Sequence, residues 1–535
     1  MPTLAQKLDL ERFRHFTPIL LLSCLCLTFG DLLFGYDTAS FGGLQANPGF
    51  VRAFGELNEA TGQYGFTATT RALLTSLAFV GKFIGCAISG TVIERIGHRW
   101  TFVALSVLSY FGIVIEITAG FGAAQGGRVA QFIIGRIVVY CAVGMVEVCI
   151  STYQSEVTPA SLRGFVVSSL QLFLTAGSII ASCVNYSLKT STTDFGWHLI
   201  TGLQFIFPAG ILIVLPFIPD SPRWLLSKGR SEEATKALRR FRPQAEVAEG
   251  RCEEEIAAIQ LALDTEVEKG SWFDLVNTPG NRRRTGIILV CYTFQQLTGT
   301  QFGGVYQVSF LKQNGYGDKS FLYPIIGSVL GCLSVVVSMV TIDNVGRRPL
   351  LMTSGALQAI FLFLVAGLGG NNVSSTAAKN TIVAAFILYG FSYNLAWGGA
   401  PYLIGAEVAS HSVREKTASV GTALNVFWAW FTSFTIPYMI QGLNFGTAYL
   451  FAGLSVAAAV FIFFFLPETK GRALEEVEAL FDKPYNPFKP HKPAYDSTRH
   501  AITDLENAPE GKVNRDVVDS AKDKGATEMV EDVKK

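Results

Sequence analysis

The sequence predicts an all-α integral membrane protein with twelve transmembrane helices in two six-helix bundles. Three observations carry the prediction. Half of the 535 residues are apolar and mean hydropathy is +0.35. Only 16% are charged, against roughly 25% in a typical soluble domain. Twelve apolar runs each approach the length of about 20 residues that crosses a hydrocarbon core. Short motifs also recur in one order along the two halves of the chain, which marks an internal duplication. This composition excludes a soluble enzyme, and a net charge of +1 offers no electrostatic footprint for nucleic acid.

The first six runs fall at 19–39, 71–93, 100–119, 130–153, 165–184 and 197–217. The second six fall at 285–306, 321–342, 349–368, 381–403, 417–439 and 447–466. They divide the chain into a cytoplasmic N-terminus (1–18), an N-terminal bundle (19–218), a linker (219–284), a C-terminal bundle (285–466) and a cytoplasmic tail (467–535) expected to be largely disordered. Residues 1–18 are polar, and the first run is too long for a cleavable signal. In the linker, Ile256, Ile259 and Leu263 make one apolar stripe within 253–269, so short amphipathic helices are expected beneath the membrane.

Orientation follows from Lys and Arg. With both termini in the cytosol, 34 of these residues lie inside and 6 outside, as positively charged inner loops require. Asn185-Tyr-Ser and Asn372-Val-Ser then fall in outer loops, which makes Asn185 and Asn372 candidate glycosylation sites. Eight of the nine cysteines sit in apolar runs without metal-ligand spacing, so neither metal nor cofactor is expected. Nucleotide-binding GxxxxGK[ST] loops and the hydrolase patterns HExxH and GxSxG do not occur.

The duplication rests on three pairs. Glu94-Arg-Ile-Gly-His-Arg99 matches Asp343-Asn-Val-Gly-Arg-Arg348 at an offset of 249. Glu156 precedes Arg163 by seven, as Glu407 precedes Arg414, at an offset of 251. Pro219-Asp220-Ser221 closes the sixth run and Pro467-Glu468-Thr469 the twelfth, at an offset of 248. A duplicated membrane domain fits a transporter whose site lies between the halves, near the bilayer midplane.

Several of these motifs carry a more specific likeness. FGYDT (34–38), ERIGHR (94–99), YQSEVTPASLRG (153–164), PDSPRWLLSKGR (219–230), QQLTGTQ (295–301), DNVGRRPL (343–350) and PETKGRALEEV (467–477) resemble the sugar porters of the major facilitator superfamily, most of all fungal hexose transporters. The resemblance runs from about Phe29 to Phe481. It implies a carrier in the cell membrane whose partners are the lipid bilayer, a small sugar and a proton.

The resemblance also implies residue roles. Glu94, Arg95, Arg99, Glu156, Arg163, Asp343, Arg347, Arg348, Glu407 and Arg414 form a charged cytoplasmic gate, in which acids and bases at helix ends pair across the halves. Arg suits this because its fork binds a carboxylate bidentately; His98 stands where Arg is usual. Asp37 and Arg136 are the proton-coupling pair, since ionisable groups inside a membrane are costly and functional. Facilitators of the family commonly lack the acid, so its presence favours symport. Gln171, Gln295, Gln296 and Asn425 are the substrate amides, which donate and accept without net charge. Gln301 stands where Asn is common and Tyr402 where Trp is common; both belong to the substrate site. Asp31, Lys82, Glu116 and Glu147 are further intramembrane charges without an assigned role. The main alternatives keep the fold and change the solute to a pentose, disaccharide, polyol, quinate or exported metabolite, or replace transport with sugar sensing.

Overall fold

A hydrocarbon core offers backbone amides no partner, so a spanning chain must satisfy them within its own helices. The computed structural model describes residues 17–59, 62–121, 125–158, 160–264, 271–369, 375–410 and 413–470, together with Val477, Leu480 and Phe481. The side chains of Asn58, 160–168, Ala262, Asp264, Asp343 and Glu415 lie outside that description. Every predicted run is helical over most of its length.

The first span is Pro18–Leu44, capped by the Thr17 hydroxyl, which accepts from the Leu20 N–H. The second begins as Ala68–Ser76 and continues into Ala78–Thr118, a helix that turns sharply at Gly97 and therefore also contains the third span. The fourth and fifth spans are Gln125–Val157 and Ala160–Ser187. The sixth is assembled from Asp194–Gly202, a 3₁₀ turn at Leu203–Phe205, and Ile206–Val214.

In the second half, the eighth, ninth, eleventh and twelfth spans are Tyr323–Val345, Arg347–Gly369, Arg414–Leu443 and Gly446–Phe465. The seventh and tenth are not the continuous runs the sequence suggested. The seventh, Pro279–Leu297, breaks at Gly299 (φ +96°) before Thr300–Gly304 and Gln307–Leu311. The tenth, Thr376–Leu395, breaks over Trp397-Gly-Gly and resumes as Ala400–Val408. By length and apolarity alone, nine helical segments qualify as membrane spans among the described residues; one of them, Ala68–Phe121, contains two crossings. The seventh falls short through its break and the eleventh through its polarity. A short hairpin, Glu56–Asn58 with Gln63–Gly65, decorates the first outer loop.

Packing differs between the two ends of the molecule. At the end assigned to the outside, Phe41, Phe50, Phe54 and Trp197 of the first half join Phe302, Phe310, Phe386 and Phe451 of the second in one continuous buried cluster. At the cytosolic end each half has its own: Phe102, Tyr153 and Ile218 in the first, Tyr292, Trp397 and Leu466 in the second. The halves also touch through main chain at the outer mouth. A β-carbon on Gly42 would lie 2.9 Å from the Val305 carbonyl oxygen, and Lys312 Nζ donates to the Ala46 carbonyl at 2.6 Å.

The linker forms short helices, as its pattern required. Ile256, Ile259 and Leu263 of Arg251–Asp264 pack on Leu225, Leu226, Ala234 and Ala237. Apart from the three residues named above, the chain beyond 470, including the expected disordered tail, lies outside the described residues.

Candidate functional site

The two helix breaks supply the centre of the site. In a continuous helix the Gly398 carbonyl would be spent on the next turn; here it accepts from Gln295 Nε2 at 3.0 Å. Asn425 of the eleventh span ties the adjacent glutamines together. Its Nδ2 donates to Gln295 Oε1 (2.7 Å) and to the Tyr292 carbonyl (3.2 Å), and its Oδ1 accepts from Gln296 Nε2 (3.1 Å). From the opposite half, Gln171 Nε2 donates to Asn394 Oδ1 at 3.2 Å. Four of the predicted amides thus converge from the fifth, seventh and eleventh spans. Gln301 follows the Gly299 break, where its side chain is buried.

Polar atoms remain unused there. Gln296 Oε1, Gln301 Oε1 and the Trp428 indole N–H are buried with no hydrogen-bond partner among the described residues. A buried donor or acceptor left unmade costs about 1–3 kcal/mol, so these atoms suit a polyhydroxylated ligand. Tyr402, on the short helix after the tenth-span break, donates its hydroxyl to Glu147 Oε1 at 3.2 Å and meets the Tyr292 ring edge-on. Glu147 also pairs with Lys82 at 2.8 Å, and that ammonium lies 4.5 Å from the Phe34 ring centre. Glu147 therefore bridges the halves through Tyr402. Asp31 is buried within electrostatic reach of Glu147.

The predicted coupling pair is brought together in the first half. Arg136 Nη2 lies 3.5 Å from Asp37 Oδ2, and both side chains are buried. Gln204, on the 3₁₀ turn of the sixth span, donates to Asp37 Oδ1 at 3.1 Å. The guanidinium stacks 3.6 Å from the Phe41 ring centre, with Glu116 buried nearby. Gln204 and Asn394 were not singled out from the sequence. Both are polar residues beside helix irregularities, and for Asn394 the Gly-Gly-Ala-Pro stretch that follows is the legible signal.

The gate residues are arranged within each half. Arg347 Nη2 donates to Glu407 Oε1 at 2.9 Å, and Thr469 donates to Glu407 Oε2 at 2.7 Å. In the first half, Ser221 donates to Glu156, and His98 Nε2 stands 3.8 Å from the same carboxylate. Arg348 donates to the Phe463 carbonyl at 2.7 Å. Glu94 and Arg95 are exposed, Arg99 is half-buried, and Arg414 opens the eleventh span. In this conformation both acids, Glu156 and Glu407, are held inside their own half rather than across the halves. The side chains of Arg163 and Asp343 lie outside the described residues.

One predicted site is corrected. Asn185 lies in the fifth-span helix with its side chain 4% exposed, and its Nδ2 donates to the Ala39 and Ser40 carbonyls at 3.2 Å. An amide committed to helix packing has no room for a glycan. Asn372 lies outside the described residues.

Comparison with known proteins adds independent observations. The family described as "Sugar (and other) transporter" matches residues 23–481. The probable high-affinity hexose transporter ght7 of Schizosaccharomyces pombe is 29% identical over 448 residues, covering 82% of this chain and 85% of that protein. Hexose transporter HXT10 of Saccharomyces cerevisiae is 30% identical over 481 residues, covering 87% and 86%. Among solved structures, the proton:xylose symporter XylE bound to 6-bromo-6-deoxy-D-glucose matches with a TM-score of 0.70 at 25% identity, over 86% of this chain and 99% of that one. The inward-open xylose transporter XylE from E. coli matches with a TM-score of 0.71 at 25% identity, over the same shares.

Proposed function

This chain belongs to the sugar transporter family of the major facilitator superfamily, and from that premise we propose that it moves a monosaccharide, foremost a hexose, across the plasma membrane together with a proton. The observation that carries the proposal is the amide cluster drawn from both halves, within which Gln296 Oε1 is buried and unpartnered among the described residues. A sugar presents hydroxyls that both donate and accept. Neutral amides answer either role, and Trp428 adds a donor beside an apolar face.

The packing supports an alternating-access cycle. One aromatic cluster joins the halves at the outer end, while the inner ends pack separately. Rocking the halves about the central amides would part the outer cluster and bring the inner corners together. In the reverse state, Glu156, Arg163, Glu407 and Arg414 come within reach of the opposite half, which is the gating role proposed for them.

The proton step uses Asp37 and Arg136. Protonating Asp37 removes its attraction for the guanidinium and frees Arg136 to move toward other acceptors. Gln204, which donates to the carboxylate from the sixth span, passes that change to the helix packed beside the first span. The tested quantity is accumulation. In cells lacking hexose carriers, labelled glucose should concentrate, and a protonophore should abolish the gradient. Asp37→Asn, which mimics the protonated acid, should abolish accumulation while preserving exchange. Wild-type uptake that ignores both the protonophore and external pH would mark a facilitator and end the proton assignment.

A further inference from the structure

The linker borders a cavity that lies apart from the central amides. Along and after the helix Ser231–Phe241, most arginines are satisfied by carboxylates. Arg230 pairs with Glu233 at 2.6 Å, Arg239 with Glu253, and Arg242 with Glu255 at 2.6 Å. Two cations differ. Lys236 and Arg240 lie one turn apart on the same face, and among the described residues neither has a carboxylate within ion-pair distance. Arg240 instead donates to the Phe217 carbonyl at 3.1 Å, which aims its guanidinium at the inner end of the sixth span.

Both cations line a cavity of about 530 Å³ between the linker helix and the membrane domain. Its membrane-side wall is apolar: Val103 from the third span, with Leu212 and Leu215 from the sixth. Trp100 on the third span and Phe217 beyond the sixth flank it at 66% and 61% exposure, the aromatic placement typical of a membrane–water interface. Four cations contribute to the lining against two carboxylates, Glu233 and Asp220. Glu233 is taken by Arg230. Asp220 accepts the backbone N–H groups of Ser221 and His98. The cavity is therefore cationic toward the cytosol and apolar toward the bilayer, level with the inner headgroups. A soluble anion matches only its first half.

We propose that this cavity holds an anionic phospholipid of the inner leaflet. The headgroup phosphate lies between Lys236 and Arg240, and the glycerol and upper acyl carbons rest on Val103, Leu212 and Leu215. Such a lipid ties the linker helix to the third and sixth spans. Each basic side chain near an anionic surface strengthens binding by a factor of about five, so two contribute tenfold or more.

The test uses the full-length protein in phosphatidylcholine nanodiscs, titrated with short-chain phosphatidylserine, with bound lipid counted by native mass spectrometry. Wild type should retain phosphatidylserine over phosphatidylcholine. The double variant Lys236→Gln/Arg240→Gln should weaken that retention about tenfold or more. Both side chains are exposed, so folding should survive. Arg239→Gln, whose partner is Glu253, should retain the lipid as wild type does. Equal retention by wild type and the double variant overturns the site. Glycerol 3-phosphate displacing the lipid at equal affinity overturns the lipid assignment in favour of a soluble phosphate.

Discussion

The two inner corners of the molecule are built to one plan and diverge in chemistry at the residue after the turning glycine, His98 in one and Arg347 in the other. Gly97 and Gly346 both turn the chain at positive φ, +82° and +109°, between consecutive spans. The acid after the last span of each half then caps the new helix: Asp220 accepts the His98 N–H at 3.2 Å, and Glu468 accepts the Arg347 and Arg348 N–H groups at 3.0 and 3.1 Å. Burial raises the Asp220 carboxyl above its usual range, against the pull of the N–H donors around it. The neighbouring hydroxyls, Ser221 and Thr469, donate to Glu156 and Glu407. At the next position the plan diverges. The second half places Arg347 against Glu407 at 2.9 Å; the first places His98 against Glu156 at 3.8 Å, its ring tilted at 54° to that of Tyr153. A duplicated corner can thus keep its backbone chemistry while one half replaces a fixed ion pair with a looser contact. The second corner is stiff, and the first is the more readily released.

That asymmetry can be broken from the stiff side first. Arg347→Ala leaves the Glu407 carboxylate half-buried with Thr469 as its donor among the described residues, and thermal unfolding in detergent should show a loss on the order of 3 kcal/mol. His98→Ala should lose about half as much; an equal loss would mean that the two corners are equally rigid. The shared part of the plan is tested next. Gly97→Ala and Gly346→Ala each force a β-carbon into a left-handed backbone, 2.8 Å from Asp220 Oδ2 and 2.6 Å from Glu468 Oε2. Each should cost about 1–2 kcal/mol, and the two should match closely. The smallest effect comes from restoring symmetry. His98→Arg should change stability by less than about 1 kcal/mol, because pairing with Glu156 is offset by the cost of burying the new charge, yet it should slow sugar exchange in proteoliposomes, because the freer corner gains the grip of its twin. Faster exchange would reverse the assignment of stiff and free halves.

Much of this architecture is visible in one dimension. Apolar length and loop charge register as local composition, so the twelve crossings and the duplication could be read directly. The helix breaks are subtler: Gly299 and the Gly-Gly before Ala400 look like ordinary small residues of membrane helices until the freed Gly398 carbonyl is seen accepting from Gln295. Asn185 shows the opposite failure. Its three-residue pattern says nothing about which way the amide faces, and the fifth span simply extends past it. Asp37, Arg136 and the central amides were legible because polar groups in hydrocarbon need a reason to be there. Their partners Gln204 and Asn394 were not, since pairing depends on which helices adjoin. The gate was read as pairs across the halves, yet its acids sit inside each half here, because pairing of that kind belongs to a conformation and not to a sequence.

The backbone contact at Gly42 and Val305 also has an electrical meaning. A mouth closed by main chain and aromatic rings is an insulating layer, and a membrane voltage falls most steeply where the dielectric is thickest and driest. Asp37 sits within two helical turns of Leu44, at the edge of that layer. A charge moved across it experiences about 2.3 kcal/mol for every 100 mV. Closing the outer mouth therefore does more than block the path of a solute: it sets how much of the cell's voltage falls between Asp37 and the outside and how much between Asp37 and the cytosol.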